Sequence, residues 1–271
     1  MGCFSLTSIH LPNSVTTIGN RAFEDCRSFT SIHLPNSITS IGDEAFSACF
    51  SLTSIHLPNS LTTIGKSAFC FCSSLASIHI PDSVTMLGTN PFVGCERIKI
   101  TCDSPYFRVV DDLLISNEGT LIACLTDKVH ITIPDSVATI GDGAFKFCGS
   151  LTSIRLPNSV TTIRNSAFGN CESLTSIHLP DSVTTIGNYA FWDCTSLASI
   201  HLPKSLTSIG NEAFSKCYSL TSIHLPDSLT TIGNNAFWDY SLITIYIPKG
   251  TKEKFEELLQ DTWLINKLVE E

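Results

Sequence analysis

The sequence predicts a repeat solenoid built mainly of β-structure, with short helical or 3₁₀ turns. The segment Ser-Leu-Thr-Ser-Ile-His-Leu-Pro occupies residues 5–12 and returns unchanged at 51–58, 173–180 and 219–226. A fixed period of 23 residues is typical of stacked units, each of which buries its apolar face against its neighbours. The cysteines that keep this period are Cys3, Cys26, Cys49, Cys72, Cys95, Cys148, Cys171, Cys194 and Cys217.

One unit, residues 174–196, illustrates how each coil is predicted to fold. Ile177 points inward and His178 outward, the period-2 pattern of a strand with one buried face. Pro180 ends the strand because it cannot donate to a sheet, and Gly187 allows a second corner. A helical or 3₁₀ turn completes the coil. The predicted buried positions are Leu174, Ile177, Leu179, Val183, Ile186, Ala190, Phe191 and Cys194.

The twelve cysteines do not predict a disulfide framework, because nine of them share one repeat position. Stacked coils point these side chains in the same direction, which is poor disulfide geometry. We therefore expect buried thiols that act as small apolar groups. Cys70, Cys102 and Cys124 lie outside the series, and their pairing stays open.

These units resemble the BspA-like branch of the leucine-rich repeats, whose consensus runs L-x-x-I-x-L-P-x-S-V-x-x-I-G-x-x-A-F-x-x-C. Units between residues 3 and 248 carry most of it. Serine at Ser14, Ser37 and Ser60 stands where the general leucine-rich repeat has an asparagine ladder. The resemblance implies a right-handed leucine-rich-repeat superhelix with a parallel concave sheet and a C-terminal helical cap. It also implies a cell-surface or secreted protein associated with adhesion.

The predicted array of residues 1–248 is interrupted near 101–129. The interval from Pro81 to Pro134 is seven residues longer than two repeats. Two β-rich runs, 106–115 and 120–124, flank a turn centred on Gly119 and predict a hairpin. Both a structural role and a binding loop are compatible with this pattern.

The two ends of the array differ in the sequence. Residues 249–271 break the repeat and predict a capping helix that starts near Lys252. The first coil has no such cap, so Leu6 and Ile9 would present an open apolar face and an unpaired strand edge. This favours self-association through the uncapped N-terminal coil, or stacking of further repeats upstream.

Composition argues against several classes of function. The net charge is −9 with no Lys/Arg cluster, so the basic footprint of a nucleic-acid binder is missing. We find no apolar run that could cross a membrane and no signal peptide in this chain. Phosphate-binding, dinucleotide, zinc, calcium and hydrolase motifs are also missing. We therefore predict no catalytic residue, cofactor, metal or membrane insertion.

Histidine recurs at one strand position and is the main candidate for ligand contact. Neighbouring strands would place these imidazoles ~4.8 Å apart on the solvent side of the concave sheet. Three interpretations stay open: a repeated surface residue without a role, a ligand-contacting ladder, or a shared transition-metal site. The candidate ligand-binding residues are His10, His33, His56, His79, Arg155, His178, His201, His224 and Tyr246.

Two tryptophans, Trp192 and Trp238, lie two coils apart on the outer turns. They mark a contact patch, or they are partly buried against the next coil.

The predicted function is a non-catalytic recognition module that binds a protein or glycan, with host extracellular matrix among the candidate ligands. The alternative is a structural spacer or assembly segment of a longer repeat protein. An enzyme built on the predicted hairpin is a third, less favoured class, because no cleft is evident in the sequence.

Overall fold

The computed structural model describes residues 3–95, 97–238, 244–259 and 261–271. The chain divides into two compact units, unit 1 (Met1–Thr126) and unit 2 (Asp127–Glu271). Each unit is a stack of coils whose short parallel strands pair with the strands one repeat before and after. The predicted β-rich repeat solenoid is confirmed, and it contains very little helix.

Unit 1 contains two parallel sheets. One sheet has the order β2-β4-β6-β8 and the other β1-β3-β5-β7. Equivalent residues of successive repeats face each other, as Ile32 faces Ile55, so these isoleucines line up along the core. The strands of unit 1 are β1 (Thr17–Ile18), β2 (Ser31–His33), β3 (Ser40–Ile41), β4 (Ser54–His56), β5 (Thr63–Ile64), β6 (Ser77–Ile80), β7 (Met86–Leu87), β8 (Lys99–Cys102), β9 (Phe107–Val110), β10 (Leu113–Ser116) and β11 (Thr120–Cys124).

The interruption in unit 1 is an antiparallel meander of β9, β10 and β11. A simple hairpin was predicted here, but the first β-rich run is broken in two by a turn at Asp111 and Asp112. Both residues have positive φ, 51° and 64°, which is the backbone of a tight type I′ hairpin turn. The second turn lies at Gly119, as predicted, with φ 82°.

Unit 2 repeats the two-sheet coil and ends in helices. Strands β12, β14, β16 and β18 form one parallel sheet, and β13, β15, β17, β19 and β21 pair in parallel in another; β20, β22 and β23 form a third. The elements of unit 2 are β12 (His130–Thr132), β13 (Thr139–Ile140), β14 (Ser153–Arg155), β15 (Thr162–Ile163), β16 (Ser176–His178), β17 (Thr185–Ile186), β18 (Ser199–His201), β19 (Ser208–Ile209), β20 (Ser222–His224), β21 (Thr231–Ile232), β22 (Thr244–Ile247), α1 (Lys252–Leu259), α2 (Thr262–Ile265) and β23 (Leu268–Glu270).

The C-terminal segment of unit 2 is more elaborate than one predicted helix. The helix α1 starts at Lys252 and buries Phe255 and Leu259. Asp261 then caps α2 by accepting a hydrogen bond from the Trp263 amide at 2.8 Å. The chain returns as β23, which pairs in parallel with β22.

A column of phenylalanine rings fills the interior behind the outer turns of each unit. In unit 1 the rings of Phe46 and Phe69 are 5.5 Å apart and 1° from parallel. In unit 2 the rings of Phe214 and Phe237 are also 5.5 Å apart and 1° from parallel. Such pairs add about 0.5–1.5 kcal/mol each beyond the burial of their area. The interior is thus ordered by repetition along the stack.

The outer segment of each coil alternates between two hydrogen-bonding directions. The amides of Glu44, Phe46 and Ala48 donate forward to carbonyl oxygens of the next coil at 2.7–2.8 Å. The intervening amides close turns three residues back, as that of Ser47 does on Glu44 at 3.0 Å. The i→i−3 spacing is that of 3₁₀ structure, but alternate amides leave the turn to join neighbouring coils.

This alternation requires two residues of positive φ in most coils. Glu44 and Ala48 have φ of 55° and 58°, and Tyr189 and Asp193 have 57° and 60°. A left-handed backbone costs a residue with a Cβ roughly 1–2 kcal/mol. Because these positions hold glycine only at Gly94 and Gly143 among the described coils, most of them bear that cost.

Two side-chain ladders join the corners of adjacent coils. The Ser37 hydroxyl donates to the Val15 carbonyl oxygen at 2.6 Å, so the serine position is a hydrogen-bonding ladder. A second ladder was not predicted from the sequence. It lies at the corner of the coil where Asn or Asp follows the periodic glycine. There the Asn211 amide donates to Asn188 Oδ1 at 2.7 Å. An Asn/Asp ladder is therefore present, displaced to another corner.

The periodic cysteines form no disulfide among the described residues, and all of them except Cys3 are buried. Buried thiols also donate hydrogen bonds to backbone carbonyl oxygens. Cys49 Sγ donates to the Phe23 carbonyl oxygen of the preceding coil at 3.1 Å, and Cys194 Sγ does the same to Phe168 at 3.1 Å. Burial raises the pKa of both thiols from 9.0 to about 12. The folded chain therefore holds them neutral.

We predict that replacing an alanine of positive φ by glycine lowers the stability less than replacing an alanine just before a strand. Ala48→Gly removes a Cβ from a residue at positive φ, whereas Ala76→Gly only adds backbone freedom at an exposed site. The Ala48→Gly protein should be more stable than the Ala76→Gly protein by about 1 kcal/mol in urea unfolding. Equal losses in the two variants would contradict the role assigned to the left-handed backbone.

We also predict that the buried thiols make the protein unstable in alkali. Their folded pKa lies above the value of the unfolded chain, so their stabilisation is complete below pH 9 and is lost as the pH rises toward 12. Each thiol ionised only in the unfolded state adds a slope of about 1.4 kcal/mol per pH unit. Urea unfolding at several alkaline pH values measures this slope.

Two variants control that experiment. Cys194→Ser keeps a donor for the Phe168 carbonyl but removes the ionisable thiol, so the slope should fall by the share of one group. Cys3→Ser, at an exposed thiol, should leave the slope unchanged. If both variants gave the wild-type slope, buried thiols would not be its cause.

Candidate functional site

The predicted histidines lie on the exposed face of the strands β2, β4 and β6 in unit 1. We call this surface the unit 1 histidine face, made of His10, His33, His56 and His79. His33 faces His56 in register, and an isolated bridge pairs His10 with His33. All four side chains are exposed, because each follows the inward isoleucine of its strand.

The far end of the unit 1 histidine face is paired with acidic residues. His79 Nδ1 is 2.9 Å from Thr101 Oγ1, and its Nε2 is 3.5 Å from Asp103 Oδ2. On the next strand, Lys99 Nζ is 3.2 Å from Asp112 Oδ1 in the meander. The ammonium group of Lys99 at this end therefore has the carboxylate of Asp112 beside it.

Unit 2 presents a second row, which we call the unit 2 histidine face: Thr132, Arg155, His178 and His201. Thr132 faces Arg155, Arg155 faces His178, and His178 faces His201 on successive parallel strands. The rings of His178 and His201 stack with centroids 5.4 Å apart and planes 13° from parallel. The structure thus brings three predicted site residues into one exposed line.

The last two predicted site residues form a separate pair in the sheet of β20, β22 and β23. His224 faces Tyr246, with ring centroids 4.5 Å apart. His224 Nε2 also lies 3.2 Å from Glu271 Oε1. This carboxylate comes from the C-terminal segment, which lies outside the repeat, so no periodic signal in the sequence pointed to it.

A groove opens beside the first strands of the unit 2 histidine face. Its volume is about 650 Å³, and it was not predicted from the sequence. Its walls are the corners that follow β12 and β14, and Arg155 lies at its edge. The lining residues are Thr132, Ile133, Pro134, Asp135, Arg155, Leu156, Pro157, Asn158 and Ser159.

The outer turns of unit 2 carry the two tryptophans. Trp192 is half-buried, and Lys216 Nζ lies 4.4 Å from its ring centroid, a cation–π contact between neighbouring coils. Trp238 is 51% exposed. Trp192 is therefore partly buried against the next coil, whereas Trp238 keeps about half of its surface in solvent.

The described residues contain neither a three-residue cluster of metal ligands nor a membrane-spanning helix. No three His, Cys, Asp or Glu side chains among them gather as a metal site. Likewise, none of the helices in the described part of the chain has the length and apolar character needed to cross a bilayer.

Comparison with known proteins identifies the repeat. The model described as BspA type leucine rich repeat region matches in six copies, over residues 1–113, 124–244 and 193–266. The chain belongs to the BspA-type leucine-rich repeat family. No curated protein matches the chain.

Solved structures agree with this assignment to the BspA-type repeats. A leucine-rich cell surface protein of Faecalibacterium prausnitzii is 30% identical, with a TM-score of 0.74 over 95% of this chain and 83% of that protein. The pneumococcal vaccine antigen PcpA is 26% identical, with a TM-score of 0.61 over 86% of this chain and 54% of PcpA. A leucine-rich repeat protein of Eubacterium ventriosum shares the fold. It is 23% identical, with a TM-score of 0.57, and the match covers 88% of this chain and 83% of that protein.

We predict that the exposed histidines of this BspA-type array contribute little to its stability. Replacing His178, His201 and His224 together by alanine should lower the free energy of unfolding by less than about 2 kcal/mol, because surface changes cost about 0.5 kcal/mol each. Ile177→Ala, one residue away but buried, should cost about 2–5 kcal/mol. Urea unfolding compares the two. A larger loss in the histidine variant than in Ile177→Ala would give the histidines a structural role.

Proposed function

We propose that the chain is a non-catalytic recognition module that binds a protein through its histidine faces. The observation that carries this proposal is the line formed by Arg155, His178 and His201, which is exposed and in register. Apart from the stacked rings of His178 and His201, the contacts between coils are made mainly elsewhere, by backbone amides, the serine and Asn/Asp ladders, the thiols and the phenylalanine column. These side chains are thus available to a partner.

We further propose that the chain acts at the cell surface or after secretion, in adhesion. The family membership and the description of the F. prausnitzii relative as a cell surface protein support this location. Host extracellular matrix proteins and glycans are the ligands to test first. In this proposal residues 1–248 supply the repeats, and residues 249–271 act as the cap of the last coil.

A second candidate function is a spacer or assembly segment of a longer repeat protein. The observation that favours it lies in the first coil of unit 1. Ile9 is 37% exposed, whereas its equivalent Ile32 is 6% exposed. A second copy or another coil stacked on this surface would cover Ile9.

The two functions are separated by a binding panel of matrix proteins, serum proteins and glycans immobilised on a biosensor. We expect the wild-type chain to bind at least one protein saturably, and the variant with alanine at positions 178, 201 and 224 to bind it at least about tenfold more weakly. The matched control replaces the exposed residues Thr161, Thr184 and Thr207, which directly precede β15, β17 and β19 of unit 2, by alanine.

The control variant should bind like the wild type. Equal loss in both variants would indicate that the histidine face is not the binding surface. No saturable binding to any member of the panel would contradict the recognition proposal. A concentration-dependent dimer that disappears in Ile9→Ser would then support the assembly function.

A further inference from the structure

The groove beside β12 and β14 is lined in part by Arg155, whose side chain has no partner among the described residues. We propose that this groove binds a carboxylate side chain of a protein ligand, and that Arg155 is the residue that holds it. The inference rests on the proposed recognition function and names the chemical group that the unit 2 histidine face recognises. Its anchor is an arginine at a position where the other repeats mostly place histidine.

Arg155 is distinguished from the other arginines by its lack of a side-chain partner within the described residues. The chain has six arginines, all of them described, and the other five have partners for their side chains or interactions of their own. Arg21, for example, lies 2.8 Å from Glu44, and Arg27 lies 2.7 Å from Asp25. The contacts of Arg155 are those of its backbone, whose carbonyl oxygen accepts from the Ile133 amide at 3.1 Å.

The strands around Arg155 carry no acidic side chain on their outward face. The outward residues of β12, β14, β16 and β18 are histidine, threonine and serine apart from Arg155 itself, with no carboxylate among them. The comparable face of unit 1 carries Lys99, but there Asp112 neutralises the cation at 3.2 Å. No carboxylate of the described residues forms an ion pair with Arg155, although Asp135 also lines the groove.

The chemistry of the groove selects a carboxylate. A guanidinium presents a planar fork of N–H donors that matches the two oxygens of a carboxylate, and such charge-assisted pairs are about twice as strong as neutral hydrogen bonds. Thr132 and Asn158 add neutral donors and acceptors along the groove. These groups suit the backbone and side-chain amides of a peptide.

The groove favours an isolated acidic residue over a polyanion. Polyanions bind by displacing counter-ions with several cations, whereas this face offers one. Asp135 also lines the groove and would repel a second closely spaced carboxylate. We therefore expect the ligand to be a protein segment in which a glutamate or aspartate stands among neutral residues.

The test uses the full chain and an acetylated, C-terminally amidated peptide in which one glutamate stands among glycine and serine. With only six arginines, the ¹⁵N spectrum of the arginine Nε–Hε groups is simple, and Arg155→His identifies the signal of Arg155. We expect the peptide to shift this signal in the wild type, and its glutamine analogue to leave it in place. Binding should weaken at least about tenfold in Arg155→His.

Lys249→Ala is the matched control, because it removes one exposed positive charge from the same unit. It should bind the peptide like the wild type. An unmoved Arg155 signal, or equal peptide affinity in wild type and Arg155→His, would overturn the inference. A glucuronate oligosaccharide that shifts the Arg155 signal at lower concentration than the peptide would also overturn it, since the carboxylate would then come from a glycan.

The outcome is distinguishable from failure of the proposed function. Should the panel find a protein ligand whose binding depends on the histidines but not on Arg155, the recognition function would stand and this inference would fail. Should the glutamate peptide bind at Arg155 while no protein of the panel binds, the carboxylate site would stand and the proposed recognition function would fail.

Discussion

The structure depends on hydrogen bonds between the backbones of successive coils. A single coil buries too little apolar surface to offset the entropy of ordering its residues, so it is stable only against its neighbours. Strand amides supply part of this contact, as when the Thr39 amide donates to Thr16 at 2.8 Å. The outer turns supply the rest by sending alternate amides the other way along the stack. Each coil is thereby tied to its neighbours on both sides of its core.

This arrangement explains why the interior is uniform. The residues of positive φ fix the path of the outer turn. That path places Phe46 and Cys49, and their equivalents in the other coils, at the same position of each coil. The phenyl rings then stack, and the thiol of Cys49 reaches the carbonyl oxygen of Phe23. A larger or charged residue at either position would disturb two neighbouring coils as well as its own, so the repeat constrains inward residues more than outward ones.

The sequence was sufficient to predict what is periodic. The inward isoleucines, the cysteine column and the exposed histidines follow from the 23-residue period, and the structure places them as the period requires apart from the exposed Cys3 and Ile9 of the first coil. The left-handed backbone of Glu44 and Ala48 was not predictable, because residues with a Cβ seldom adopt it and the turn forces it. Nor were Asp112 and Glu271 recognisable as partners of the exposed cations, because both belong to segments outside the repeat.

The same distinction between periodic and exceptional residues bears on function. A residue that recurs at every coil is explained by the repetition of its unit, whether or not it touches a ligand. A departure from the period on an exposed face has no such explanation, because the packing of the coil does not select it. Arg155 is such a departure, and its guanidinium has neither the carboxylate given to Lys99 nor the ring neighbour given to His178. A cation without an ion pair does not tie one coil to the next through charge, which is why we propose that Arg155 acts on what approaches the surface from outside.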